Sequence, residues 1–359
     1  METGPEGPGT PGRGRPGGSP ARRRSATFGQ VIVVAGESLI DLVPQRDPTA
    51  PRNDGPAAPP PPPPGPSGPP PAPALPPLLP RPGGGPYNTA VALGRLGARA
   101  AFCSRVSGDG FGEALLAGLL TAGVDVSLVE RGPEPTTLAV ASVGADGSAG
   151  YGFYAEGTAD RLFELPPPLP DEARAVAFGT CSLVLEPGAS AYEQLLRREA
   201  GRGLLTLLDP NVRPGLIPDP DAYRRRFSGW LPDVSLLKLS DDDARWLGGV
   251  PSGPAAVVVT HGAGGLTVRA RGGLEVSVPA VPVRVVDTIG AGDTVNAALL
   301  HGLAALDALS PDALPGLDED AWRGVLTLAA RAAALTCSRP GAEPPYAAEL
   351  DPLPGPART

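Results

Sequence analysis

The first sustained apolar run is Val31-Ile-Val-Val-Ala35, closed by Gly36, the pattern of a parallel strand buried on both faces. From Pro86 to Gly97 the apolar spacing changes to three and four, which predicts a helix that Pro86 opens and Gly97 ends. Ala100–Val106 predicts a strand and Phe111–Ala122 a helix stopped by Gly123. Thr137–Val143 and Tyr151–Tyr154 predict two paired strands around a turn at Ala145-Asp-Gly147. From about residue 175, strands at Ala175–Phe178, Leu204–Leu208, Val234–Leu237 and Ala256–Thr260 alternate with helices at Ala189–Arg198, Ala222–Leu231 and Asp241–Leu247. Leu266–Ala270 and Leu274–Val278 predict an antiparallel excursion, and long helices follow at Thr294–Leu306 and Trp322–Leu335. Such regular exchange implies an α/β fold, a mainly parallel sheet with helices on both faces.

Two stretches lie outside this periodicity. Residues 1–28 are rich in Gly, Pro and Arg and are expected to form a disordered tail. Residues 51–82 hold 17 prolines, including the run Pro59–Pro64; lacking N–H donors, they are expected to be extended polyproline II. The expected organisation is one domain over 29–350 with a disordered insertion at about 46–82, and a short tail over 351–359.

Composition narrows the function. Hydrophobic residues make up 41 % of 359, enough for a sizeable core, and the formal net charge of −8 argues against a nucleic-acid groove. Lys238 is the only lysine. Cys103, Cys181 and Cys337 are far apart, so reduced thiols are expected rather than a zinc site or disulfide framework. No apolar run approaches the ~18 residues of a membrane span, and the first 28 residues lack a secretory h-region. The cytoplasm is the expected compartment.

The chemistry concentrates in Val285-Val-Asp-Thr-Ile-Gly-Ala-Gly-Asp-Thr-Val-Asn-Ala-Ala-Leu-Leu300. A strand end is expected to run into Gly290-Ala-Gly292 and then into a helix starting near Asp293. Small residues there let backbone N–H groups face outward, and a helix N-terminus adds positive potential, which together suit a transferring phosphoryl group. A carboxylate in the same turn can take the proton of an attacking hydroxyl. Read alone, Asp293 would more often be an N-cap.

Asp287-Thr-Ile-Gly-Ala-Gly-Asp293 resembles the C-terminal signature of the ribokinase/fructokinase (PfkB) family of carbohydrate kinases. The resemblance implies that Asp293 is the catalytic base and Gly290, Ala291 and Gly292 the anion hole. Gly83-Gly-Gly-Pro-Tyr-Asn-Thr-Ala90 is similar to the N-terminal signature, which places Gly84, Gly85 and Asn88 against the sugar. Gly36-Glu-Ser-Leu-Ile-Asp41 resembles a first-strand motif whose Asp, here Asp41, holds sugar hydroxyls. Thr260-His-Gly-Ala-Gly-Gly265 resembles the nucleotide loop, so Thr260, Gly262 and Gly265, with Asn296, are expected at ATP; His261 reads as a bystander without a partner. Leu208-Asp-Pro-Asn-Val-Arg213 places Arg213 at the sugar or the phosphates. Lys238-Leu-Ser-Asp-Asp-Asp243 stands where the family has Asn-x-x-Glu; Ser240 replaces Asn and Asp243 replaces Glu, so Asp243 is a degenerate candidate for organising Mg²⁺ through water. A monovalent cation, K⁺, near Asp287 and Thr288 is implied by resemblance alone.

The implied architecture is a three-layer α/β/α ribokinase-like fold with a small β-sheet lid drawn from residues around 39–45, around 80 and 137–154. The implied reaction is ATP-dependent phosphorylation of a sugar primary hydroxyl, with fructose ahead because Gly85-Pro-Tyr-Asn88 and Gly157-Thr-Ala-Asp-Arg161 look like bacterial fructokinases. A 2-keto-3-deoxygluconate kinase and an inactive sugar-binding regulator are the alternatives. Sugar and ATP are the expected partners, without nucleic acid or membrane. A homodimer through the lid and a polyproline-recognising domain on the insert are further partners left open. No Gly-x-x-x-x-Gly-Lys-Ser/Thr occurs, and Gly-x-Gly-x-x-Gly falls only in the tail.

Overall fold

A computed structural model describes residues 29–45, 77–143 and 149–350, together with residues 1, 3 and 4. Most of the expected tails and of the insertion, with the turn at Ala145–Gly147, lie outside the described residues. The strands are β1 (Val31–Ala35), β2 (Leu39–Pro44), β3 (Leu78–Gly83), β4 (Ala100–Ser107), β5 (Val129–Gly132), β6 (Thr137–Val143), β7 (Ala149–Tyr154), β8 (Ala173–Gly179), β9 (Leu205–Asp209), β10 (Leu236–Ser240), β11 (Ala256–Thr260), β12 (Leu266–Ala270) and β13 (Glu275–Val278). The helices are α1 (Gly85–Arg95), α2 (Gly110–Thr121), α3 (Gly188–Gly201), α4 (Pro220–Trp230), α5 (Asp241–Leu247), α6 (Ala291–Ala305), α7 (Glu319–Cys337) and α8 (Ala347–Leu350).

Nine strands form the central sheet in the order β13-β12-β11-β10-β9-β8-β1-β4-β5. The pairings from β11 to β5 are parallel, and β12 and β13 close one edge antiparallel. Alternation along β1 explains the three layers. Ile32 and Val34 join one core with α1, α2, α6 and α7, while Val33 and Ala35 join the other with α3, α4 and α5.

The lid is a separate four-stranded sheet, β3-β2-β6-β7. Here the proline-rich expectation needs correcting at its end, because residues 78–83 form a strand antiparallel to β2. It is tolerated because β3 is an edge: Pro80 and Pro82 alternate with Leu79 and Arg81, so their missing donors fall on the unpaired side. The expected strand end before Gly290 is also corrected. Residues 280–286 are irregular chain, pinned where Val286 N–H donates to Cys337 O at 2.8 Å. Among the described residues no helix is long and apolar enough to cross a membrane.

Candidate active site

The functional side chains gather beyond the C-terminal ends of the parallel strands, where loops are free to diverge. Glu37 follows β1, Thr180 follows β8, Asn211 and Arg213 follow β9, and the 261–265 turn follows β11. The lid brings Asp41 from β2 and Phe153 from β7 over the same region.

α6 begins at Ala291 with Gly290 as its N-cap residue, so Asp293 is the third helical residue and not a cap. Gly290 has φ +77°, and a β-carbon there would lie 2.6 Å from Ala342 Cβ, so conformation and space both demand glycine. The Asp293 side chain turns instead to α1, where Asn88 Nδ2 donates to Oδ2 at 2.9 Å. Burial pushes the Asp293 carboxyl up to about 7; the Asn88 bond and the charges of Lys238 and Arg213 pull it down, and Asp209 pushes it up. A carboxyl poised near neutrality beside the first amides of a helix suits a general base.

Two clefts meet at this turn. A polar cleft of 310 Å³ includes Asp41, Gly84, Gly85, Asn88, Arg213 and Asp293 among its lining residues. An apolar cleft of 540 Å³ is lined by Thr260, Gly262, Gly265, Val281, Val283 and Val285, among others. Thr288 and Gly292 line both. The irregular course of 280–286 is therefore useful, since it turns three valines toward the second cleft. Asp41 is largely buried, which pushes its carboxyl up to about 6 against the pull of Arg213. Arg213 itself is exposed and donates through Nη1 to Asn211 Oδ1 at 2.7 Å.

Four sequence-derived sites are engaged differently from expectation. Asp243 is a structural carboxylate: Oδ2 accepts Ser240 N–H and Oγ–H to close the capping box of α5, and Oδ1 accepts Val212 N–H at 2.7 Å. Asn296 lines neither cleft; its Nδ2 donates to Asp209 Oδ2 at 2.8 Å. Asp287 accepts Ile289 N–H and Gly341 N–H at 3.1 and 2.9 Å, tying the 288–290 turn to the loop behind it. His261 does have partners, Asp241 Oδ1 at 2.8 Å and Thr267 Oγ1 at 3.1 Å. Among the described residues no cluster of His, Cys, Asp and Glu could hold a metal ion.

Sequence reasoning also passed over residues that the fold brings here. Lys238 pairs with Asp209 at 2.8 Å beneath Gly292, where a methyl on that glycine would lie 2.9 Å from Nζ. Glu37, Thr180 and Asn211 line the polar cleft. Glu37 and Asn211 stand inside motifs already recognised; Thr180 carries no local signal, because only the end of β8 places it.

Residues 80–348 match the model of the pfkB family carbohydrate kinases. The chain is 36 % identical over 306 residues to a fructokinase of Rhizobium leguminosarum, spanning 82 % of this chain and 86 % of that protein. It is 32 % identical to fructokinase-1 of Oryza sativa over 288 residues, 76 % of this chain and 87 % of the relative. Its fold superposes on the crystal structure of Xylella fastidiosa fructokinase with bound ATP at a TM-score of 0.75 and 25 % identity, covering 90 % of this chain and 97 % of that one.

Proposed function

Because this chain belongs to the pfkB family of carbohydrate kinases, we propose that it transfers the γ-phosphoryl group of ATP to a primary hydroxyl of fructose. The observation that carries the proposal is Asp293, a buried carboxyl poised near neutrality at the junction of a polar and an apolar cleft. The adenine fits the apolar cleft beside the 260–265 turn, and the triphosphate extends toward the first amides of α6. The sugar enters the polar cleft, where Asp41, Asn88 and the backbone at Gly84 and Gly85 meet its hydroxyls. Asp293 takes the hydroxyl proton as the sugar oxygen forms its bond to phosphorus, and the bond to the β-phosphate oxygen breaks to release ADP. The amides of 290–293 face the charge that develops on the phosphoryl oxygens. Closure of the lid would exclude the water that otherwise competes as acceptor.

Magnesium in such reactions is held largely by substrate phosphates. Asp243 spends both oxygens on backbone and Ser240 hydrogen bonds, so any part it takes in organising Mg²⁺ is through water, and the ion enters this proposal as a companion of the nucleotide. Asp287 already serves two backbone amides, Ile289 N–H and Gly341 N–H.

A sugar acid is the second reading, favoured by Arg213 in the cleft. Against it, Glu37, Asp41 and Asp293 line the same cleft, three carboxyls to one guanidinium, and Arg213 already serves Asn211. Phosphorylation rates for fructose and 2-keto-3-deoxygluconate, with and without Arg213→Ala, test the choice. Fructose turnover that outlasts the substitution supports fructose. Efficient turnover of the acid, lost selectively in the variant, would move the assignment to a sugar-acid kinase.

A further inference from the structure

Glu37 lines the polar cleft, yet only 3 % of it is exposed. Its Oε2 accepts Ser182 N–H at 3.0 Å, while Oε1 is buried and, among the described residues, has no hydrogen-bond partner. Burial pushes this carboxyl up to about 7, and the nearby charge of Asp160 adds to the effect. An unsatisfied buried acceptor costs about 1–3 kcal/mol, more when charged, so a fold that keeps one invites an explanation.

The wall around Glu37 points to a ligand. Ser182, whose amide fixes Oε2, lies two residues after Thr180, and Thr180 has φ +56°. A β-branched residue in that region is a rare outlier. Facing it is Asn211, at φ +38°, whose Nδ2 donates to Thr180 Oγ1 at 3.3 Å. Two strained non-glycine residues, each costing on the order of 1–3 kcal/mol, thus line one cleft beside an unpaired carboxyl oxygen. Such strain clusters where geometry serves binding.

We propose that Glu37 is a sugar-binding residue, its Oε1 accepting a substrate hydroxyl while Ser182 holds Oε2, which makes it a specificity determinant for a neutral polyhydroxylated sugar. The proposal rests on the reading of the polar cleft as the sugar site. An acceptor placed here rejects an analogue lacking the matching hydroxyl, because the carboxyl oxygen then stays unpaired. Above about pH 7, where Glu37 is charged, it also repels a carboxylate.

Glu37→Gln is nearly isosteric, but with its oxygen on Ser182 N–H it presents an amide donor where the wild type presents an acceptor. The expected result is a fructose KM raised tenfold to a hundredfold, with kcat within about threefold and the ATP KM unchanged. A panel of monodeoxyfructoses adds a readout that a merely structural role would not move. The wild type should discriminate against one of them, and the variant should lose that discrimination. Glu37→Asp, which draws the carboxylate back from the cleft, should behave alike and serves if the amide variant fails to fold. An active wild type whose fructose KM is unmoved by both substitutions overturns this proposal alone. So does a uniform loss of ATP and fructose affinity with no change in deoxysugar selectivity. A wild type that phosphorylates no sugar refutes the kinase reading and this proposal with it.

Discussion

Removing the amide of Asn88 should move the pH dependence of the enzyme, because among the described residues that amide makes the one side-chain hydrogen bond to the carboxylate of Asp293. The bond favours the charged base and opposes the burial that pushes its carboxyl up to about 7. A hydrogen bond to a charged group is worth about 1.5–3 kcal/mol. At 1.36 kcal/mol per pH unit, its loss should raise the Asp293 carboxyl by about one to two pH units. The reaction needs the deprotonated form, so the acid limb of kcat/KM should move from about 7 to between about 8 and 9 in Asn88→Ala. Asn88 also lines the sugar cleft, so the plateau should fall as well. Height and position are separate readings of one profile, and only the position reports on the base. The assay is fructose phosphorylation followed as ADP release from pH 5.5 to 9.5. Asn88→Asp tests the sign, since a second carboxylate against Asp293 should move the limb at least as far. A lowered plateau with an unmoved limb would show that Asn88 binds sugar without tuning the base.

Three other outcomes follow from the same site and its surroundings. Folded Asp293 holds its proton up to about pH 7, whereas the unfolded chain releases it near 3.8, so the folded state binds more protons between those values and this carboxyl destabilises it increasingly as pH rises. Asp293→Asn should therefore melt several degrees above wild type at pH 8, by at most about 4 kcal/mol, and close to it at pH 4; equal melting temperatures at pH 8 would contradict the buried, raised carboxyl. Gly85→Ala would put a methyl 2.5 Å from Thr180 Oγ1 and 3.3 Å from Asp293 Oδ1; kcat should fall at least tenfold with far-ultraviolet dichroism unchanged, and full activity would show that the cleft wall yields. Residues 46–76 should be replaceable by a short Gly/Ser turn, because Gln45 N–H donates to Pro77 O at 2.8 Å and the cut ends already meet across β2 and β3. Extending the deletion through residue 83 should raise the fructose KM, since it strips the edge strand beside Asp41; equal kinetics for both deletions would remove β3 from the site.

What could be read in advance divides by range. Buried parallel strands such as Val31–Ala35 and Ala256–Thr260 were legible to the residue, because a strand covered on both faces writes an unbroken apolar run. Motifs that sit wholly in one turn, Gly290 to Asp293 above all, were legible for the same reason of locality. The lid strand at 78–83 was legible only through the family resemblance, which placed lid residues around 80; its own composition reads as polyproline, and only the antiparallel partner at 39–44 makes it a strand. Nor could the sequence tell that Asp243 also reaches Val212 and Asn296 reaches Asp209, partners that the end of β9 brings near; the Ser240–Asp243 capping box, by contrast, is a local pattern. Thr180 was invisible for a related reason. Its backbone strain arises where β8 ends beside β9, a contact between segments about thirty residues apart.

The central claim is that Asp293 is the base of a phosphoryl transfer from ATP to fructose. The measurement closest to it pairs turnover with binding for wild type and Asp293→Asn at pH 8, where the carboxyl is deprotonated. Phosphofructose formation gives kcat, and calorimetry gives the fructose dissociation constant. General base catalysis is worth roughly 10²–10⁴-fold, so kcat should fall by at least about a hundredfold while fructose binds within a few fold of wild type. A variant that keeps more than about a tenth of wild-type kcat, or a wild type that forms no phosphorylated fructose, would contradict the account.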